Sequence, residues 1–440
     1  MSNATASAAA AAAVTTALTR VLRDYRGSAA QGPGGPPEHA ARERAALALE
    51  QAGWPSNRDE QWRYANLRAL ERVASFQPVA RVATAATAVS SAAALQDLPP
   101  PLPGFTRLVF VDGIRHEPLA LPAGVRSVAP PGAQAAQWSA AQRLGWLGEM
   151  FATDTAALAV AGEAALELLF VTSAASAQRA VYPRLQLELG AGSRLQLVER
   201  HLGAPAGPTL VAGTATIDLA RGALLTHYRT QQCGALVSFT ESLDVRVGED
   251  AQYRVRHAAL GAHDARTSAR VRLAGREARL QWHALAVGRG EQVQDTALQV
   301  LHGARGTGSE QVFRGIADER ARLAFSGHVQ IDASAPGSEA RQSLRGLIAG
   351  PAAEIDLRPR LEISIDEVRA THGATTGRLD ENLLFYLLAR GLDPDTARAL
   401  LKWAFLGDVL REVTLPALRT ELERLAAGLL PDVLAAGAVA

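Results

Sequence analysis

Residues 185–225 read LQLELGAGSRLQLVERHLGAPAGPTLVAGTATIDLARGALL. Apolar residues alternate in Leu185-Leu187-Leu189 and Leu195-Leu197, and again in Ile217-Leu219. A period of two is the pattern of a strand that turns one face inward. Short corners separate the runs, Gly190-Ala191-Gly192-Ser193 and Arg221-Gly222-Ala223. Similar corners follow at Gly248-Glu249-Asp250-Ala251, Gly275-Arg276-Glu277-Ala278 and Asp318-Glu319-Arg320-Ala321, and the first four recur roughly every 27–30 residues. Alternation continues through Leu243-Val245-Val247, Val271-Leu273 and Val329-Ile331. Such repetition marks stacked units, each holding two or three short strands. Few Asn-Gly or Asp-Gly hairpin signals occur. A parallel β-helix from about residue 165 to 370 therefore explains the pattern better than a β-sandwich of hairpins.

The repeats run into Leu361–Gly391, LEISIDEVRATHGATTGRLDENLLFYLLARG. Leu361, Ile363 and Ile365 alternate as a strand. The Gly- and Thr-rich stretch after them reads as a turn holding His372 between Thr371 and Gly373. Helical periodicity follows at once: Asp380 is the expected cap, Leu383, Leu384, Leu387 and Leu388 the apolar stripe, and Gly391 the stop. Asp393-Pro394 opens a second helix, faced by Ala397, Leu400, Leu401, Ala404 and Phe405, and a third covers Pro416 to Leu429. Helices in this position are expected to plug the end of the solenoid, where strand edges need cover, or to dock a partner.

Upstream, Val14, Leu18, Val21, Leu22 and Tyr25 share one helical face that Gly27 ends. The preceding residues read as a frayed tail, and Gln31 to Pro37 as a linker. A helix from His39 to about Ala52 precedes Gly53-Trp54-Pro55-Ser56-Asn57, where Ser56 or Asn57 is the expected cap of a short helix containing Asp59 and Glu60. Trp62 and Tyr64 read as aromatic anchors for the N-terminal helices. Residues 75–104 read as a connector, and Leu108 to Gly113 as a strand with a turn. The expected organisation is an N-terminal helical region and connector over 1–104, a β-helix core over 105–376 with a short helical insertion near 138–152, and a C-terminal helical domain over 377–440.

The chain has 440 residues, 48% of them hydrophobic, enough for a large core. Its 45 basic and 44 acidic side chains nearly cancel, so no global field draws it to nucleic acid or an anionic membrane. Cys233 is the single cysteine, which excludes an intrachain disulfide and a cluster held by several thiolates of this chain. No apolar run approaches the ~20 residues of a membrane span, and the first residues lack the early positive charge of a signal peptide. A cytoplasmic location is the expectation.

Ten histidines occur, with no His-x-His or His-x-x-x-His spacing and no Cys-x-x-Cys. Most read as satisfied core or surface groups; His372 stands apart by its place between strand and helix. Asp295 and His302 are an odd seven residues apart, so on one strand they face opposite sides and read as structural. Glu362, Asp366 and Glu367 cluster just before His372. On a β-helix such carboxylates suggest a carbohydrate-active enzyme, with Glu362 and Asp366 on one strand face. Aromatic residues at 5% are sparse for a sugar-stacking groove. There is no GxxxxGK[ST] phosphate loop, no strand-linked GxGxxG and no GxSxG elbow. Cys233 reads as a buried small hydrophobe.

Pro359, Leu361-Glu362-Ile363, Asp366, Val368, His372-Gly373-Ala374-Thr375, Gly377, Leu379-Asp380, Leu384-Phe385-Tyr386-Leu387 and Arg390-Gly391 together resemble the C-terminal signature of the SufB/SufD family, scaffold subunits of the bacterial Suf iron–sulfur cluster assembly system. SufB members typically carry glutamate after the histidine, so Gly373 points to the SufD branch, as does the acidic-Trp-basic-Tyr pattern ending at Tyr64. The resemblance implies a right-handed parallel β-helix with flanking helices and a non-enzymatic scaffold role. It implies pairing with a SufB-like paralogue, docking of a SufC-like ABC ATPase, and persulfide sulfur delivered indirectly by a cysteine desulfurase. No cofactor is expected to stay bound to this chain alone; a nascent iron–sulfur cluster forms in the complex. His372 matches the family's interface histidine, a ligand for iron or the nascent cluster. The family often has a cysteine at the position of Ala370, so this chain offers no thiolate there. Leu384 to Leu410 resembles the ATPase-docking region, with Leu384, Phe385, Arg390, Leu401 and Phe405 as expected contacts. A solenoid homodimer of isolated chains is the structural alternative.

Overall fold

The alternating runs fold into two parallel sheets that the chain visits in turn, giving two strands per coil. The computed structural model describes residues 17–27, 36–79, 93–116, 120–129 and 138–437. The frayed tail, the expected contact at Val14, most of the Gln31–Pro37 linker and much of the connector lie outside the described residues.

Sheet 1 runs through Thr106–Val111, Glu163–Val171, Arg194–Leu202, Leu224–Gln231, Gln252–Ala259, Arg279–Gly288, Gly308–Ala317, Ser338–Ile348 and Val368–Gly377. Sheet 2 runs through Ala156–Val160, Arg184–Leu189, Thr209–Leu219, Val237–Val247, Asp264–Leu273, Val293–His302, Arg322–Ile331 and Glu354–Ile363. Consecutive strands within each of these runs pair in parallel; among the described residues, antiparallel pairs occur only at the N-terminal end, with Ile114–Arg115 and Val125–Ser127. The fold is a parallel β-helix.

The recurrent corners stack. Gly192, Gly222, Asp250, Glu277, Gly306 and Gly337 all have positive φ. Each donates its N–H to a carbonyl of the next coil, at Arg221, Glu249, Arg276, Arg305, Pro336 and Glu367, over 2.7–3.1 Å. A left-handed residue aims its amide along the solenoid axis, and glycine adopts it at no steric cost. Asp318–Ala321 lies at the opposite edge, after a strand of sheet 1, so it does not join the stack of the first four.

Inward positions of both sheets, such as Leu187, Leu197, Val245, Tyr253, Trp282, Phe313 and Phe325, form one continuous core. Full burial of each aliphatic side chain there contributes about 1.5–3 kcal/mol.

At the N-terminal side, the helix over residues 17–27 and α1 (Pro36–Ala52) share a core with α2 (Gly145–Phe151). The helix after the linker thus begins at Pro36, earlier than His39. The short turn Glu60–Trp62 has Asp59 at its cap position, not Ser56 or Asn57. Asp59 instead accepts from the Ser56 N–H at 2.9 Å, and the Asn57 amide donates to the carbonyls of Trp62 and Ala65. Trp62 is buried, donates to Ala140 O at 2.8 Å, and lies 4.0 Å beneath the Arg266 guanidinium, which is ion-paired with Asp295.

The C-terminal helices α3 (Glu381–Ala389), α4 (Pro394–Leu410), α5 (Pro416–Gly428) and α6 (Pro431–Ala435) do not plug the solenoid end. Leu406, Val409, Leu410 and Val413 pack on Tyr228, Ala258, Leu285 and Ile316, outward residues of sheet 1. Three arginines on every second coil secure them: Arg200 to Glu421 at 2.6 Å, Arg256 to Glu412 at 3.0 Å and Arg314 to Asp408 at 3.4 Å. The helices cover a flank because sheet 1 is apolar on both faces, as buried parallel sheets are.

Candidate functional site

Val368–Gly377 is the final strand of sheet 1 and has a strand neighbour on one side only. Sequence composition suggested a turn around His372; the structure makes it mid-strand. Val368, Thr371, Thr375 and Thr376 are β-branched, and register with Ser338–Ile348 extends along the strand. His372 pairs in register with Gln342, which follows Gln311, Trp282, Val255 and His227 on the earlier coils. Those residues are buried in the lumen, whereas His372 is exposed because no further coil covers it. Ala370 lies on the same strand face and packs against the core. A cysteine side chain at that place would therefore stand beside the imidazole on one face.

The carboxylates before His372 are not a convergent pair. Glu362 is the penultimate residue of the last strand of sheet 2 and pairs with His328 at 3.3 Å and Arg360 at 3.8 Å. That strand stops at Ile363, so Asp366 and Glu367 lie in the connection beyond it, and the parity argument for Glu362 and Asp366 does not apply. Asp295 and His302 do face opposite sides: Asp295 meets Arg266, while His302 contacts Thr307 and Ser309 at 2.9 and 2.8 Å.

On α3, capped by Asp380 through the Asn382 and Leu383 N–H groups, Phe385 is 71% exposed, Tyr386 54% and Leu383 53%. Leu383 therefore belongs to the outward face and not to a buried stripe. Leu384 is half-buried and Arg390 exposed, stacking on Tyr386 at 5.0 Å. Leu401 and Phe405 on α4 are half-buried, with Phe405 engaged by the helical core.

Sequence reasoning missed a polar network inside the solenoid. Glu199, His201, His227, Arg229 and Glu241 are all buried. Glu199 accepts from Arg229 at 3.1 Å and contacts His201 Nε2 at 2.7 Å and His227 Nε2 at 3.0 Å. Arg229 also pairs with Glu241, which reaches in from sheet 2. Burial would raise the Glu199 carboxyl, but the Arg229 charge and the two imidazole hydrogen bonds hold it well below the usual range. Burial lowers His227 and keeps it neutral, and pushes the Cys233 thiol up to about 12.

Residues 170–405, more than half of the chain, match the family described as "SUF system FeS cluster assembly, SufBD core domain". An iron–sulfur cluster assembly SufBD family protein of Synechocystis is 27% identical over 416 residues, covering 87% of this chain and 89% of the relative. The iron–sulfur cluster assembly protein SufD of Escherichia coli is 27% identical over 226 residues, which is 51% of this chain and 53% of that protein. SufD of Bacillus subtilis is 31% identical over 138 residues, 31% of this chain and 32% of its own length. A parallel β-helix whose terminal strand displays an imidazole, together with a family match across that core, places the chain in the SufBD family of iron–sulfur cluster assembly proteins.

Proposed function

We propose that the chain is a SufD-type scaffold, itself without catalytic activity, that pairs with a SufB-like paralogue and docks a SufC-like ATPase in the cytoplasm. The observation that carries this reading is His372, exposed on the strand that closes sheet 1. An unpaired strand invites continuation by a partner's strand, and the lumen-facing imidazole then lies in the junction. A neutral imidazole nitrogen is a suitable ligand for iron of the nascent cluster, which is the complex's cargo. With Ala370 in place of a thiol, the remaining ligands come from the partner. Sulfur from a cysteine desulfurase enters through that partner, because Cys233 is buried and its thiol pKa is about 12, which leaves little thiolate. The ATPase docks on the α3 face of Leu383, Phe385 and Tyr386, an apolar surface without cover among the described residues.

Co-expression with the two partners tests both surfaces. His372→Ala leaves the three-protein complex assembled and lowers reconstituted cluster yield by about tenfold or more; an unchanged yield removes His372 from the ligand set. Phe385→Glu weakens ATPase binding by about 2 kcal/mol, close to 30-fold, in calorimetric titration. Wild-type affinity in that variant relocates the docking surface.

A further inference from the structure

The interior of the solenoid holds a second, unrelated donor set. Glu199 and His201 come from one strand of sheet 1, and Glu241 from the facing sheet 2. One ligand atom of each lies within 4.8 Å of the other two. His201 Nε2 is 2.7 Å from Glu199 Oε1 and 3.7 Å from Glu241 Oε1. An ion bound about 2.1 Å from nitrogen and oxygen donors needs neighbouring donors about 3 Å apart. The observed separations bracket that value, so small side-chain adjustments suffice. We propose that Glu199, His201 and Glu241 bind one first-row divalent cation inside the β-helix, bridging its two sheets.

The surroundings supply the second argument. Glu199 and Glu241 converge on His201 from the two sheets in a space with almost no solvent exposure. A divalent ion held there adds a second cross-link between the sheets, beside the ion pair of Arg229 with Glu241. His201 is held flat between Phe170, stacked at 5.2 Å, and Phe239, edge-on at 5.0 Å, so its ring is fixed toward the two carboxylates. An oxygen-rich set with one imidazole selects Zn²⁺, Fe²⁺ or Mn²⁺ over thiophilic ions. Because these donors are buried, loading accompanies folding and release is slow. This ion is resident in the fold and distinct from any iron handled at His372.

The test is elemental analysis of the full chain, expressed in medium supplemented with Zn²⁺, Fe²⁺ or Mn²⁺ and desalted through chelator. A single retained equivalent is expected, kept in His372→Ala and lost in Glu241→Gln with the far-UV dichroism unchanged. X-ray absorption at the metal edge of the wild type, which needs no variant to fold, is expected to show nitrogen and oxygen ligands only. Under a tenth of an equivalent with all three ions, sulfur in the ligand shell, or full retention in Glu241→Gln overturns the site.

Discussion

Arg229→Met is expected to lower the unfolding free energy by about 3–5 kcal/mol at neutral pH, enough to leave little folded chain. Arg229 bridges Glu199 and Glu241 from opposite sheets, and all three are almost wholly buried. Taking the guanidinium away leaves two carboxylates facing each other in a dry lumen. Neither can be hydrated there, and at this pH both must either remain charged without their guanidinium or take up a proton at a cost. The alternative, that the network is a weak contributor, is tested by the triple variant Arg229→Met, Glu199→Gln, Glu241→Gln. Removing every charge together is expected to recover most of the loss, since replacing a whole buried ion network by uncharged groups is often close to neutral. Urea unfolding followed by dichroism, in chelator-treated buffer, measures both. A single variant as stable as wild type contradicts the account of an obligatory ion network.

The coiled architecture was legible because its two determinants are local. Alternation at Leu185-Leu187-Leu189 sets which face points inward, and corners such as Arg221-Gly222-Ala223 need a left-handed residue at the same place in each coil. What was not legible depends on contacts between coils. His372 sits in a Gly- and Thr-rich stretch that reads as a turn, yet the backbone of Ser338–Ile348 templates it as a strand. The buried network was within partial reach. Leu195, Leu197, Glu199 and His201 keep one parity, so extending the strand past Leu197 would have placed a carboxylate and an imidazole in the lumen. Their encounter with Glu241 depends on the packing of sheet 2 against sheet 1, which no single-strand pattern encodes. The flank position of the C-terminal helices is similar: outward residues such as Tyr228 and Leu285 are buried only because α4 and the segment after it lie over them.

Acidification from pH 7 to 5 is expected to destabilise the chain steeply, by about 1.4 kcal/mol per pH unit for each buried neutral histidine. Burial pushes His257 down to about 3, with the Arg229 charge adding to it, and pushes His302 down to about 4, with Arg279 adding. His227 is shifted in the same direction. In the unfolded chain these imidazoles titrate near their ordinary value of about 6.5. Between that value and about 4 the unfolded state therefore holds protons that the native state refuses. Stability is complete above pH 6.5 and falls as the pH drops toward the folded-state values. Buried Asp112, Glu149 and Asp295 have raised pKa values and work the opposite way, taking up protons in the native state above the ordinary carboxylate range and offsetting part of the histidine slope. His302 is hydrogen-bonded to Thr307 and Ser309 through its two ring nitrogens, a role that Gln can fill in part. His302→Gln is thus expected to lower stability at pH 7 modestly while flattening the slope by close to one proton. Urea midpoints at half-unit pH steps give that slope directly. A wild-type midpoint that stays level from pH 6.5 to 5, or an unchanged slope in His302→Gln, would mean that these rings accept protons in the folded chain and that the lumen is wetter than its burial indicates.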